Sequence, residues 1–283
     1  MSELSYLEKL LDGVEVKWLP LGNVAEIYGG LTGKSKSDFE NGNARYVSYK
    51  KIFGYLDVND YPTDYVYISE GERQNEVRYG DVLFTGSSEI ADEAGMSSAV
   101  TVHFDESVYL NSFSFGIRFS NSIKIKPEFA KYLFRTHFMR SEIAKTASGV
   151  TRFNISKSRF KKILVPIICP NDPEKSLAIQ SEIVRILDTF TALTAELNMR
   201  KKQYNYYRDQ LLNLEGRENT REMRIGDIYD FQYGTGNTIP KSGGQYPVYG
   251  SNGIVGSHDK YNSEDSPVIG HIGAYAGIVN WGQ

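Results

Sequence analysis

Gly29-Gly30-Leu31-Thr32-Gly33-Lys34-Ser35 comes nearest to a phosphate loop in this chain. A Walker loop needs glycine five places before Gly33, and Tyr28 stands there, so no nucleotide site is expected. What remains is a glycine backbone that lets Lys34, Ser35 and Lys36 approach phosphate closely. Tyr46, Ser48, Tyr49, Lys50 and Lys51 follow the next turn and interleave aromatic, hydroxyl and cationic groups suited to sugar, phosphate or base edges. Between Gly149 and Lys157, Arg152 suits guanine and Asn154 suits adenine. Lys157 and Lys161 continue the run as cations for a phosphate backbone. Each of these residues alone also reads as an ordinary solvated loop side chain. Together they point to DNA binding.

Bond-making chemistry finds no such concentration. His103, His137, His258 and His271 are scattered without metal-ligand spacing, and the single cysteine, Cys169, cannot build a zinc site. Asp12, Glu15 and Lys17 imitate a nuclease triad at spacings too tight for a strand-borne metal site. Phe231-Gln232-Tyr233-Gly234-Thr235-Gly236 has its first glycine one place late for a methyltransferase cofactor loop. Asn171-Asp172-Pro173-Glu174 reads better as a helix start than as an amino-methyltransferase tetrapeptide. The chain is therefore expected to hold no catalytic residue, no metal and no cofactor of its own.

The elements that must carry these residues are legible as period and punctuation. Tyr65–Ile68, Asp81–Phe84, Ala99–Val102, Phe113–Ile117 and Ile163–Val165 read as strands between Gly, Asn and Ser turns. Pro127 suits a first helical turn, after which Phe129, Tyr132, Leu133, Phe138 and Ile143 give one apolar helix face. Ser156 reads as the cap of a short turn. Beyond Asp172 and Pro173 a heptad seam begins: Ile179, Ile183, Ile186, Phe190, Leu193, Leu197, Arg200, Tyr204, Tyr207, Leu211 and Leu214 alternate spacings of four and three. That strict 3.5 period predicts a coiled-coil helix of about 60 Å that needs a partner helix, with Gly216 ending it. Arg200, flanked by Lys201 and Lys202, is a solvated charged turn or a selector of pairing register. Past the helix, Leu21-Gly22-Asn23-Val24-Ala25-Glu26-Ile27 returns as Ile225-Gly226-Asp227-Ile228-Tyr229-Asp230-Phe231.

The net charge of −3 conceals two blocks. Residues 57–106 hold twelve acids against Arg73 and Arg78, while 118–162 hold twelve Lys or Arg against Glu128 and Glu142. The basic block is expected to face phosphate, with the acidic block held away from DNA or set against a basic partner. One cysteine forbids an intrachain disulfide and fits a reducing cytoplasm. Met1–Tyr6 shows no basic segment leading into an apolar core, so no signal peptide is expected, and Ile163–Cys169 is too short to span a membrane.

By these residues the sequence resembles the specificity (S) subunit family of type I restriction-modification enzymes. Asp12 through Gly22 looks like the family's start, Gly80-Asp81-Val82-Leu83 like its mid-domain strand, and Gly149–Ser156 with Ile163–Pro166 like the close of its recognition domain. Gln180–Asp188 with Tyr204–Leu212 is similar to its spacer helix. The resemblance implies an α+β chain with three parts. These are a target recognition domain over 14–168, a coiled-coil spacer helix over 172–215, and an incomplete second recognition domain over 224–283. It implies a non-catalytic subunit that reads part of a bipartite double-stranded DNA target. Modification subunits would methylate adenine with S-adenosylmethionine, and a restriction subunit would use ATP and Mg to translocate and cleave. The plan is expected to depart from the family by stopping inside the second domain and lacking the second helix. Ile183, Ile186, Phe190, Leu193, Leu197, Tyr204, Tyr207 and Leu211 are then left for a second copy, a homodimer, or for the modification subunit. The alternative is a truncated scaffold that binds the modification subunit without reading DNA.

Overall fold

The structure, a computed structural model, describes residues 10–11, 13–234 and 243–282. Met1–Tyr6, Asp12, and Thr235 and Gly236 of the glycine-rich stretch lie outside them. Contacts divide the chain into two units, Met1–Arg208 and Asp209–Gln283.

In the first unit, β1 (Val16–Pro20), the single turn α1 (Leu21–Val24) and β2 (Ala25–Gly29) lead into β3 (Ala44–Val47) and α2 (Tyr49–Gly54). β4 (Asp57–Val58), β5 (Asp64–Val66), β6 (Val82–Thr85), β7 (Ser87–Ser88), β8 (Ser97–Val100), β9 (Val108–Leu110) and β10 (Ser114–Phe119) follow. Five of these form a sheet in the order β2-β10-β6-β8-β4, antiparallel except where β4 meets β8. Another sheet orders β5-β3-β9. Strand β6 sits centrally and is buried throughout. Successive side chains leave opposite faces of a strand. Val82 and Phe84 therefore join Phe115 and Ile117 on one side, and Leu83 joins Val47, Ile52, Val100 and Leu110 on the other.

Helices close the first of those faces. α3 (Pro127–Leu133) and α4 (His137–Ala144) replace the single apolar helix expected from Phe129 to Ile143. Thr136 breaks the run by capping α4, its Oγ1 accepting from the Met139 amide at 3.3 Å. The break resets the helical phase, so Phe138 turns outward, 53% exposed, and meets Trp18 edge-on at 5.6 Å. Phe134 and Phe160 instead pack edge-on against Phe84 at 5.3 and 5.0 Å. β11 (Ala147–Ser148), β12 (Phe153–Ile155), the turn α5 (Lys157–Phe160) and β13 (Leu164–Ile168) complete the head. Ser156 caps α5, accepting from Arg159. β13 pairs antiparallel with β1, from Val16↔Ile168 to Pro20↔Leu164, so chain segments far apart in sequence share one sheet.

α6 (Pro173–Leu212) runs 40 residues without interruption. Asp172 starts it by accepting from the Lys175 amide at 3.0 Å. Leu214, counted in the heptad seam, lies past its end, before Gly216 with φ +70. The first turns are anchored on the head. Ile179 packs with Phe129, Ile168 and Cys169, and Ile183 and Val184 lean on that cluster. Buried Gln180 accepts from the Lys126 amide at 2.8 Å and donates to the Lys124 carbonyl at 2.8 Å. From Asp188 onward every residue of the helix is exposed.

In the second unit the returning segment again begins a helical turn, Ile225–Asp227, as its counterpart Leu21–Val24 does. Two antiparallel hairpins follow, β14 (Tyr246–Gly250) with β15 (Gly253–His258) and β16 (Ser266–Ile269) with β17 (Val279–Gly282). The Tyr249 hydroxyl donates to the Trp281 carbonyl at 3.1 Å. Among this unit's described residues only Gly270 and Gly282 are buried, so no side chain is enclosed. No helix among the described residues is long and apolar enough to cross a membrane.

Candidate nucleic-acid interface

The basic block does not face outward as one surface. Arg118 sets its fork on Asp81, Nε to Oδ1 at 2.8 Å and Nη2 to Oδ2 at 2.7 Å, and Nη2 also reaches the Glu76 carbonyl. Asp81 is 0% exposed and takes further bonds from the Tyr28 hydroxyl at 2.7 Å and the Arg78 amide at 2.8 Å. Burial, and then the Asp81 carboxylate, push the Tyr28 hydroxyl well above its usual range. The tight fit of the Tyr28 ring needs Gly116 opposite, where a Cβ would come within 2.3 Å of that ring. Lys131 lies 3.4 Å from Asp57 and 3.1 Å from Asp188, and Lys126 donates to the Ser181 hydroxyl. Arg135 donates to the carbonyls of Ile52, Phe53, Tyr55 and Ser97. Arg140 donates to those of Asp92, Ala94 and Gly95. Burial, with Arg135 nearby, brings Arg140 down to about 10, still a cation at neutral pH. The physical reason is carbonyl supply: at the end of α2 and at Asp92, Ala94 and Gly95 the carbonyls lack main-chain donors among the described residues, and a guanidinium satisfies several at once. Five of the twelve cations thus hold the fold, and two of them pair with the acidic block.

The outward cations follow the β11–β12 hairpin. β12 pairs with β11 on one side and with β7 on the other, with Phe153↔Ser88 and Asn154↔Ser87 in register. Gly149, at φ +144, makes the hairpin loop possible, since a Cβ there would lie 1.9 Å from the Arg152 carbonyl. Arg152 donates Nε to the Ser87 hydroxyl at 3.0 Å, and its guanidinium lies 5.7 Å from the Phe113 ring centre. The Tyr49 hydroxyl donates to the Ser87 carbonyl at 2.9 Å. Tyr49, Arg152 and Asn154 therefore converge on Ser87, with Lys50 exposed one residue beyond Tyr49. Lys157 is exposed, its Nζ 5.8 Å from the Phe115 ring centre. Lys161 is exposed too, its carbonyl accepting from the Gly22 amide. Arg152, Lys157 and Lys161 have no acidic partner among the described residues.

The glycine loop is arranged differently from the sequence expectation. Lys34 is not free for phosphate: its Nζ sits 2.6 Å from Glu72 and its side chain is 5% exposed. Glu72 also accepts from Gln74 and from the Ser69 amide, and these bonds, led by that from Lys34, hold its carboxyl at about 2. Ser35 bonds Asp38 through both amide and hydroxyl at 2.7 Å, a local capping box. Of the three, only Lys36 is both exposed and without a side-chain partner among the described residues. Ser87 and Phe113 were invisible as site residues in the sequence, because what marks them is a contact with a strand more than sixty residues away in Ser87's case.

A head of mixed sheets carrying an outward cationic hairpin, mounted on one long helix, has a counterpart among known proteins. Residues 13–204 match the family model for the type I restriction modification DNA specificity domain. The chain belongs to that family. It is 36% identical over 312 positions to the type I restriction enzyme EcoprrI specificity subunit of Escherichia coli, covering 99% of this chain and 72% of that one. It is 40% identical over 223 positions to the EcoR124I/EcoR124II specificity subunit of the same species, covering 76% of this chain and 49% of the relative. The chain thus spans about half the length of that second relative. The crystal structure of a type I restriction-modification system S subunit from M. genitalium shares the fold at TM-score 0.56 and 14% identity, over 96% of this chain and 69% of that one. A type I specificity subunit supplies sequence recognition and no catalysis. The side chains gathered around Ser87 are of the kind that hydrogen-bond and neutralise charge.

Proposed function

We propose that this specificity subunit reads one part of a bipartite double-stranded DNA target with the β7–β12 face of its head, while its long helix holds the partner subunits in place. The observation that carries this reading is the hairpin itself: Arg152, Asn154 and Lys157 stand outward on a single strand and turn, with no acidic neighbour to neutralise the cations. Arg152 and Asn154 read bases. Lys36, Lys50, Lys157 and Lys161 meet phosphates, Tyr49 buttresses Ser87, and Lys34 and Ser35 shape their own loop.

The helix supplies the second half of the proposal. Phe190, Leu193, Leu197, Tyr204, Tyr207 and Leu211 are 53–71% exposed along one heptad seam, continued from partly covered Ile183 and Ile186. An apolar stripe of that length, interrupted at Arg200, is an association surface. It pairs antiparallel with a second copy, which would bring a second reading head, or docks on the modification subunit. S-adenosylmethionine, ATP and Mg serve the modification and restriction subunits. The complex works in the cytoplasm.

The test is binding by the purified complex with its modification subunit. At matched salt, preference for the cognate duplex over random duplex is expected to reach about a thousandfold or more. Equal binding to both would hand the case to the scaffold alternative. Sedimentation of the isolated chain as a monomer at high concentration, with its helix fully formed, would remove self-pairing and leave the modification subunit as the seam's partner.

A further inference from the structure

The exposed Arg152 side chain is unlike the half-buried arginines of the head. Arg118, Arg135 and Arg140 commit their terminal nitrogens to protein acceptors. Arg152 commits only Nε, to the Ser87 hydroxyl at 3.0 Å, and its two Nη groups touch no protein acceptor among the described residues. A guanidinium tied at Nε and set over a ring keeps its two terminal nitrogens in one plane, pointing away from the tie.

The tie is itself well held. Ser87 is buried, its residue pairs with Asn154 across the sheet, and its carbonyl takes the Tyr49 hydroxyl. The ring is Phe113, 63% exposed, an isolated solvent-facing phenyl whose visible use is the face it offers Arg152. Gly86 joins tie and platform. Its amide donates to the Phe113 carbonyl at 2.8 Å, and its carbonyl accepts from the Ile155 amide at 2.9 Å. Main-chain bonds thus fix hairpin, tether and platform relative to one another.

We infer that Ser87 and Phe113 are specificity-positioning residues: they hold the Arg152 guanidinium so that Nη1 and Nη2 face the DNA as a preformed fork for the O6 and N7 of one guanine. This inference rests on the DNA-reading function proposed above. Pre-arranging the fork matters because an arginine that must first order itself on each encounter discriminates bases less well.

The experiment uses the assembled complex with its modification subunit on a duplex library randomised across the target. Arg152→Lys, Ser87→Ala and Phe113→Leu are each expected to lose about tenfold or more of discrimination at the same single guanine, with preference elsewhere and the salt slope unchanged. Phe113→Tyr, which keeps the ring, restores it. If Ser87→Ala and Phe113→Leu keep native preference everywhere while Arg152→Lys loses it at one position, the positioning role is overturned and Arg152 stands alone. Loss at an A·T pair, or no change with Arg152→Lys, overturns the guanine fork. Thermal melting run alongside exposes a merely structural residue, whose substitution lowers the melting temperature and leaves base preference native. A native complex with no sequence preference fails the proposed function itself, a result distinct from any of these.

Discussion

Two stretches of one basic block behave as opposites. From Arg118 to Arg140 the cations other than exposed Lys124 turn inward onto Asp81, Asp57, Ser181 and main-chain carbonyls, and from Arg152 to Lys162 they stand exposed, with Arg159 alone reaching main-chain carbonyls. The sign of the charge is the same in both, and the outward stretch is the denser, with five cations over 152–162 against six over 118–140. What separates them is the acceptor supply of the surrounding fold. The first stretch packs against strand ends and turns whose carbonyls lack partners, whereas the second lies on a hairpin whose carbonyls are largely met by its own ladder. A run of lysine and arginine therefore measures charge without saying where the charge goes.

The strongest way to break that comparison is at Asp81. Removing one partner of a buried, hydrogen-bonded ion pair leaves the other charge stranded, and Asp81→Ala is expected to destabilise the head by about 3–5 kcal/mol. Urea unfolding followed by circular dichroism measures it. Arg152→Ala, on the outward side, should shift stability by no more than about 0.5 kcal/mol. Similar losses for the two would mean that the inward and outward cations are not distinct classes.

The same contrast explains what could be read beforehand. α6 was legible because its seam repeats locally, and the strands around Val82–Phe84 because apolar runs and turn residues bound them. The break between α3 and α4 was not legible. Phe134 and Phe138 keep helical spacing in sequence, and only the cap at Thr136 shows that the phase is lost. Arg135 looked like a DNA cation because one of the carbonyls it serves, that of Ile52, is 83 residues away. Lys34 looked like one because its loop is rich in glycine, while its partner Glu72 lies 38 positions on. Arg152, Asn154 and Lys157 could be named from one short segment. Ser87 and Phe113 could not, since their meeting with Arg152 exists only once β7 and β12 pair.

Lys161 sharpens the outward side. It is exposed and unpaired among the described residues, so Lys161→Ala should leave folding within about 0.5 kcal/mol of native. If its charge meets a phosphate, affinity should fall alike for cognate and random duplex, and the slope of log affinity against log salt should flatten by about 1. Filter binding or fluorescence anisotropy across a salt series decides it. A loss confined to the cognate sequence would move Lys161 from backbone contact to base reading.

The smallest effect tests whether Lys34 belongs with the inward cations. Glu72 is held at about 2, against an ordinary 4.5, by hydrogen bonds led by that from Lys34. A carboxyl lowered in the folded state binds fewer protons there than when unfolded. Its contribution is therefore complete above pH about 4.5 and drains away as the pH falls from there toward about 2. The stability gap between the native chain and Glu72→Gln should accordingly be constant near neutrality and close across that acid window, read from urea midpoints at stepped pH. Lys34→Gln should make that acid loss smaller and end it at a higher pH, because the folded-state carboxyl then regains a more ordinary affinity for its proton. A gap that stays flat down to pH 2 would show Lys34 free of Glu72 in solution, and would return it to the outward, phosphate-facing set.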